Sequence, residues 1–138
     1  MIYSKNFPDQ CPPSESNTAS GEFYRFIKKA HPKPLPEDFL SWRQENPNKE
    51  CPSGLSECQA CGVSVHSCLD DAKNLSRRIP SFKNRKIARG VLNEKLGQIQ
   101  PTPSRNEKSH HTWWIPENTA PDQFFELIDI NKEDSTNT

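Results

Sequence analysis

What most constrains this chain is how few core-building side chains it has. Leu, Ile, Val and Phe together number 26 of 138 residues, or 19%. That lies just under the roughly 20% below which disorder becomes the expectation. The disorder signature also requires a large net charge, and here 18 Lys and Arg balance 18 Asp and Glu. A small domain with polar tails satisfies both facts. Thirteen prolines against five glycines cut the chain into short pieces. The length is that of one domain, which excludes a large multi-domain enzyme. No run approaches the roughly 20 apolar residues needed to cross a bilayer, which excludes a membrane-spanning protein.

Residues 1–21 read as a disordered arm. Pro12 and Pro13 precede a Ser/Asn/Thr/Ala run with no apolar period. Residues 131–138 read as a polar C-terminal tail, leaving 22–130 as the folded domain. No secretory signal is visible in the first ten residues. Five cysteines is an odd count, against the even numbers of a disulfide-stapled secreted fold. A cytoplasmic setting with reduced thiols is the expectation.

Phe23, Phe26, Ile27 and Ala30 recur at helical spacing, yet Phe23–Ile27 is aromatic enough for a strand, so the segment stays open between the two. Pro36 suits the first position of a helix carrying Phe39, Leu40 and Trp42 and ending at Pro47. Val63 and Val65 alternate on a short strand. Ser67 is a candidate N-cap with Asp70 three residues on, in a near capping-box pattern. Leu69, Ala72, Leu75 and Ile79 then stripe a helix closed by Pro80. Residues 87–92 read as a strand, with 96–100 returning beside it. Thr112–Ile115 is strongly β-prone, and 125–130 is a last strand. The class is α+β: one small domain with a short mixed or antiparallel sheet and two or three helices.

Cys51, Cys58, Cys61 and Cys68 fall within 18 residues, with a C-x-x-C pair at Cys58 and Cys61. Thiolates so spaced are candidate zinc ligands, because a two-residue loop lets both sulfurs face one metal. An extended Gly62–His66 would hold Cys61 and Cys68 about 20 Å apart at roughly 3.3 Å per residue, too far to share a site. The candidate metal set is therefore Cys51, Cys58 and Cys61, with a fourth ligand such as Cys11 or His31. Free thiols and a redox pair are the alternatives.

The zero net charge hides a dipolar chain. Lys73, Arg77, Arg78, Lys83, Arg85, Lys86, Arg89 and Lys95 stand against one acid, Glu94, while residues 117–134 hold six acids and one base. A basic segment this dense can neutralise phosphates of a nucleotide or nucleic acid. It can equally be a solvated face, or the partner of the acidic end within one molecule. Ser109–Trp114 is the least ordinary stretch. On a strand His111 and Trp113 share one face, and His110, Thr112 and Trp114 the other. His110 and His111 are candidate general acids, bases or hydrogen-bonding groups. Trp113 and Trp114 are candidate stacking planes for a ligand, or core.

Asp38-Phe39-Leu40-Ser41, Gly62-Val63-Ser64-Val65, Asp71-Ala72 and Ser109-His110-His111-Thr112-Trp113-Trp114 together resemble a loose set of short uncharacterised bacterial proteins, over roughly residues 22–115. That resemblance implies no mechanism. A fainter similarity is to small ADP-ribosyltransferase-like proteins, which place an Arg or His on an early strand, a Ser on a middle strand and a Glu near the end. It implies Arg25, Ser64 and Glu126 in those roles, NAD as cofactor, and a toxin or defence effector.

Three functions are therefore in view. The first is binding of a phosphate-bearing ligand, nucleotide or nucleic acid, through Arg77, Arg78, Lys83, Arg85, Lys86, Arg89, Trp113 and Trp114, with the two histidines hydrogen-bonding it. The second is NAD-dependent ADP-ribosyl transfer. The third is a zinc-stabilised module for a protein partner. No membrane partner is expected.

Overall fold

A computed structural model describes residues 1–129. The last residue of the expected final strand, Ile130, and the C-terminal tail lie outside that range. The core is one antiparallel sheet of seven strands: β1 (Asn17–Thr18), β2 (Gly21–Lys28), β3 (Val63–His66), β4 (Arg85–Leu92), β5 (Gln98–Pro101), β6 (His110–Trp114) and β7 (Phe125–Leu127). Their spatial order is β1-β5-β6-β3-β2-β4-β7. Three helices are described: α1 (Trp42–Glu45), α2 (Glu57–Ala60) and α3 (Leu69–Arg78). The α+β expectation holds. No helix among the described residues is long and apolar enough to cross a membrane.

Both faces of the sheet are covered, which is how so few aliphatics suffice. On one face Phe23, Ile27, Val63, Val65, Leu92, Trp113 and Phe125 form the larger cluster, closed by Phe39. Phe39 stands 6.4 Å from Trp113 and 5.0 Å from Phe125, ring to ring. On the other face α3 lays Ala72 against Tyr24 and Ile87. Burial of whole aromatic rings supplies what missing Leu and Val would have given.

The open choice for residues 23–27 resolves as strand. All eight residues of β2 pair with β4, from Gly21 opposite Leu92 to Lys28 opposite Arg85. A ladder of eight pairs with one neighbour outweighs the helical spacing of Phe23, Phe26, Ile27 and Ala30. The helix expected from Pro36 is broken in two. Pro36–Phe39 is a single 3-10 turn, and α1 starts afresh because Ser41 caps it, its hydroxyl accepting from the Gln44 N–H. Ser67 is not the cap of α3. Cys68 holds that position and makes no side-chain capping bond. The segment after Leu96 does not return beside β4: β5 pairs with β1 and β6.

The N-terminal arm is ordered into the fold. Asn17 and Thr18 pair with β5, and the Ala19 N–H donates to the Gly97 carbonyl at 2.9 Å with Ala19 fully buried. Cys11 is disulfide-bonded to Cys58, 47 residues away. Neither tie is visible to local composition, since each depends on a distant partner. The odd cysteine count resolves as one bridge and three free thiols, Cys51, Cys61 and Cys68.

Candidate functional site

The best-equipped cavity, about 530 Å³, opens beside the middle of the sheet. It exists because β2 and β3 pair only at Tyr24 and His66. Past that bridge β2 finds other partners. The Lys28 N–H donates to Asp38 Oδ1 at 3.1 Å, and Arg25 reaches across, its Nη1 donating to the Ser64 carbonyl at 2.8 Å. Arg25 Nε also donates to the Asp38 carbonyl at 2.8 Å. Arg25 thus stitches β3 to the turn at Pro36–Phe39 with a guanidinium in place of a strand ladder.

Asp38 anchors the same turn. Its buried carboxylate accepts from the Leu35 N–H at 2.9 Å, from the Lys28 N–H, and stands 2.8 Å from His31 Nδ1. Burial pushes its pKa up, but the two backbone N–H groups and His31 outweigh that and leave it below the ordinary carboxylate value.

The floor of the cavity is the polar face of β3 and β6. Ser64 lies opposite Thr112, and His66 opposite His110. Ser64 and His110 are therefore diagonal neighbours on one face, within reach of each other. Ser64 Oγ stands 2.8 Å from His110 Nε2. On the far side of the ring, Nδ1 is 2.8 Å from Thr102 Oγ1 and 3.1 Å from the Thr102 carbonyl. That carbonyl only accepts, so it favours the tautomer with the hydrogen on Nδ1 and the Nε2 lone pair toward Ser64, whereas the Thr102 hydroxyl can take either role. Thr102 Oγ1 is in turn 2.8 Å from Thr112 Oγ1. Burial holds His110 below the ordinary histidine value, so the ring is neutral at pH 7.

His66 completes the floor. It is 3% exposed, and its Nδ1 has no hydrogen-bond partner among the described residues. Burial first, then the neighbouring His110 and Arg25, press its pKa down to about 4. A buried orphan nitrogen that lines a cavity is a place for a ligand or water to bond. One wall is aromatic: Phe26 and Phe82 stack at 4.6 Å and 8°, and Phe26 meets His66 edge-on at 5.7 Å. Arg85 stands on the rim. Its guanidinium makes no hydrogen bond or ion pair among the described residues, and it adds to the burial that lowers Arg25 to about 10, against the pull of Glu45 and Asp38.

Acids line the cavity too, but several are engaged. Glu37 pairs with Lys28 and His31, and Glu107 approaches His66 Nε2 at 3.9 Å. A larger groove of about 890 Å³ runs past Arg43, Glu57 and Cys61. Arg43 and Glu57 there satisfy each other, with Arg43 gripping both Glu57 oxygens at 2.7 and 2.6 Å. That grip holds the Glu57 carboxyl down at about 2.

The sequence-derived sites fare unequally. Trp113 and Trp114 are 0% and 1% exposed, so neither stacks a ligand. Both are interior because both sheet faces are covered: Trp113 donates to the Leu96 carbonyl, and Trp114 to the Cys58 carbonyl of α2. His111 faces the core, edge-on to Phe23, with Nδ1 2.8 Å from the Ser109 carbonyl. The basic centre does not form one patch. Arg77 and Arg78 end α3, Arg78 donating to the Asn106 carbonyl. Lys86 Nζ donates to the His31 carbonyl, and Arg89 lies opposite Glu126 on β7. Lys83 lies just past Phe82 and does not line the cavity, and only Arg85 of the segment does.

Arg25 and Ser64 meet at the cavity, but Glu126 is three strands from β3 and does not line it, so the transferase trio is not assembled. Cys51, Cys58 and Cys61 do not act as three thiolates, because Cys58 is bonded to Cys11. Cys51 and Cys61 both approach Glu57 instead, at 3.4 and 3.7 Å. Burial, and then the Glu57 charge, raise the Cys61 thiol to about 11. No group of three or more metal-ligating side chains converges among the described residues.

Sequence reasoning missed Thr102, Glu107 and the Phe26–Phe82 wall. One signal was present: Ser64 and His66 alternate with Val63 and Val65 on β3, and His110 and Thr112 take the matching face of β6. No family model, no curated protein and no solved structure matches this chain.

Proposed function

We propose that the protein binds a phosphate-bearing ligand of about mononucleotide size in the cavity beside β3 and β6. The observation that carries this reading is Arg85, a guanidinium with no partner among the described residues, at the rim of a cavity where Arg25 is fixed on backbone carbonyls. An unpaired guanidinium matches the geometry of a phosphate. The stacked Phe26 and Phe82 offer an apolar wall to a ring, and the orphan Nδ1 of His66 offers a hydrogen bond. The volume lies within the range of small-molecule sites. It favours a free nucleotide over a nucleic-acid strand.

Titration calorimetry with adenosine monophosphate, inorganic phosphate and a single-stranded oligonucleotide tests this. The monophosphate is expected to bind, more tightly than phosphate alone. Arg85→Glu is expected to weaken it by roughly 10- to 100-fold, the worth of a hydrogen bond to a charged group. Absent binding, or binding indifferent to Arg85→Glu, overturns the reading. Tighter binding of the oligonucleotide replaces it with a strand-binding one.

A further inference from the structure

We infer that Ser64 is a nucleophile activated by His110, and that the cavity cleaves esters through a covalent acyl intermediate on Ser64. The inference goes beyond ligand binding and does not depend on the ligand's charge. It rests on β3 and β6, whereas phosphate binding rests on Arg85.

Three features of the site carry it. Ser64 is an exposed residue on the cavity floor, so a substrate can reach its hydroxyl. Its Oγ stands 2.8 Å from His110 Nε2, and in the tautomer that the Thr102 carbonyl favours this is the arrangement in which a hydroxyl donates its proton as it attacks. The imidazole is itself held from behind by Thr102, whose hydroxyl is braced on Thr112. A nucleophile, a base and a group that orients the base thus lie in one line. The paired strands β3 and β6 hold Ser64 and His110, with Val63 and Trp113 packed on the opposite face, and Thr102 follows β5 with its N–H donating to the His110 carbonyl at 3.0 Å.

The ordinary reading of a serine near a histidine is a surface hydrogen bond. Three things argue against it here. An acceptor-only carbonyl beside Nδ1 favours the productive tautomer. The ring is enclosed and neutral. The pair opens on a cavity with an aromatic wall. Arg25, held on the Ser64 carbonyl, adds positive charge beside the attacking residue.

The chemistry balances without a further co-reactant than water. Ser64 Oγ bonds to the ester carbonyl carbon as its proton passes to His110 Nε2. The tetrahedral oxyanion collapses, the bond from carbon to the alkoxy oxygen breaks, and the leaving alkoxide takes the proton from Nε2. Water then gives a proton to His110 and adds to the acyl carbon. The bond from carbon to Oγ breaks, Ser64 regains its proton, and a carboxylic acid leaves. Thr102 is a positioning residue, since it acts only through the ring.

A fluorophosphonate probe tests the step directly, because it forms a stable bond from Oγ to phosphorus as fluoride leaves. Intact mass and peptide mapping of the full chain are expected to show one adduct, on Ser64, and none in Ser64→Ala. His110→Gln is expected to slow labelling by roughly 100-fold, the lower end of general-base catalysis. Thr102→Val is expected to slow it less, with Thr102→Ser restoring it. The labelling rate should rise with pH through the titration of His110. His66 faces that ring edge-on, and the charges that act on it are those of Glu107, Arg25 and the neighbouring His111.

Circular dichroism and the intact Cys11–Cys58 bridge verify the fold of each variant. Should Ser64→Ala or His110→Gln fail that check, labelling of Thr102→Val against Thr102→Ser decides the question. No adduct on Ser64, or equal rates in the folded variants and the parent, overturns the inference. Nucleotide titration of Ser64→Ala keeps the two proposals separate, since it reads binding where the nucleophile is absent.

Discussion

Arg25 Nη1 donates to the Ser64 carbonyl across the gap between β2 and β3, at 2.8 Å. The same guanidinium reaches the Asp38 carbonyl through Nε at 2.8 Å and lies over the Phe39 ring at 5.9 Å. One side chain therefore sets the spacing of two strands and the position of a turn, and so the width of the cavity. Arg25→Met keeps the stem but removes the donors and leaves these carbonyls unsatisfied. It is expected to destabilise the fold by roughly 2–4 kcal/mol, from the cost of lost bonds to a charged group. Chemical denaturation reads this as a lower midpoint with an unchanged slope. An unchanged midpoint would show that water replaces Arg25 without cost.

Asp38 and His66 give the protein two separate acid sensitivities. His66 has its folded pKa pressed down to about 4, from an ordinary value near 6.5. Between those values the unfolded chain binds a proton that the folded one refuses, so stability falls as pH drops from about 6.5 to about 4. Asp38 is also depressed in the fold, so its contribution is present above its unfolded value near 3.9 and is lost as pH falls below that. His66→Asn is expected to flatten the upper window and leave the lower one. Asp38→Asn is expected to do the reverse. Thermal midpoints across pH 3–8 check both, and a single coincident window would contradict the assignment.

Gly62 is required by close approach. A Cβ there would lie 2.3 Å from Thr112 Cγ2, and 3.2 Å from both the Trp113 carbonyl oxygen and Trp114 Nε1. Gly62→Ala is expected to cost roughly 1–3 kcal/mol, the usual range for overpacking. Thr112→Ser removes the clashing methyl and keeps the hydroxyl that braces Thr102. The double variant should recover part of the loss, a coupling that a double-mutant cycle measures. Simple additivity would show that the backbone, not the methyl, sets the limit.

The Cys11–Cys58 bridge ties the arm to α2 across 47 residues. Closing a loop of that length constrains the unfolded chain by about 4 kcal/mol in the chain-entropy account. Cys11→Ser with Cys58→Ser is expected to lower stability by a large part of that, and to expose β1 to hydrogen exchange ahead of β6. Equal protection of both strands would show that β1 holds by pairing with β5 alone.

Residues 63–66, 69–78 and 110–114 were legible in the sequence because their order is local. Alternating Val63 and Val65, the stripe through Ala72 and Leu75, and the β-prone Thr-Trp-Trp run each state their own conformation. The same holds for the aromatic character of the core. What local pattern could not carry is pairing. Residues 23–27 were divided between helix and strand until β4 completed a ladder along them. Residues 96–100 had a clear strand character and were expected beside residues 87–92, but β6 and β1 took them. Cys11 and Cys58 were brought together only as candidate metal ligands, and they meet instead as a disulfide.

The candidate site divides in the same way. The sequence by itself supplied Ser64, His110, Arg25 and Arg85 as polar groups on short elements. It also set the polar alternation that turns Ser64, His66, His110 and Thr112 to one side of their strands. Only the tertiary structure decided that Ser64 stands opposite Thr112, which puts His110 on its diagonal and Thr102 behind the ring. It also decided that both tryptophans are interior and that Glu126 lies beside Arg89 instead of in the cavity. The physical reason is register. A strand's side-chain period of two fixes which face a residue takes, but a shift of one residue in pairing changes every partner it meets.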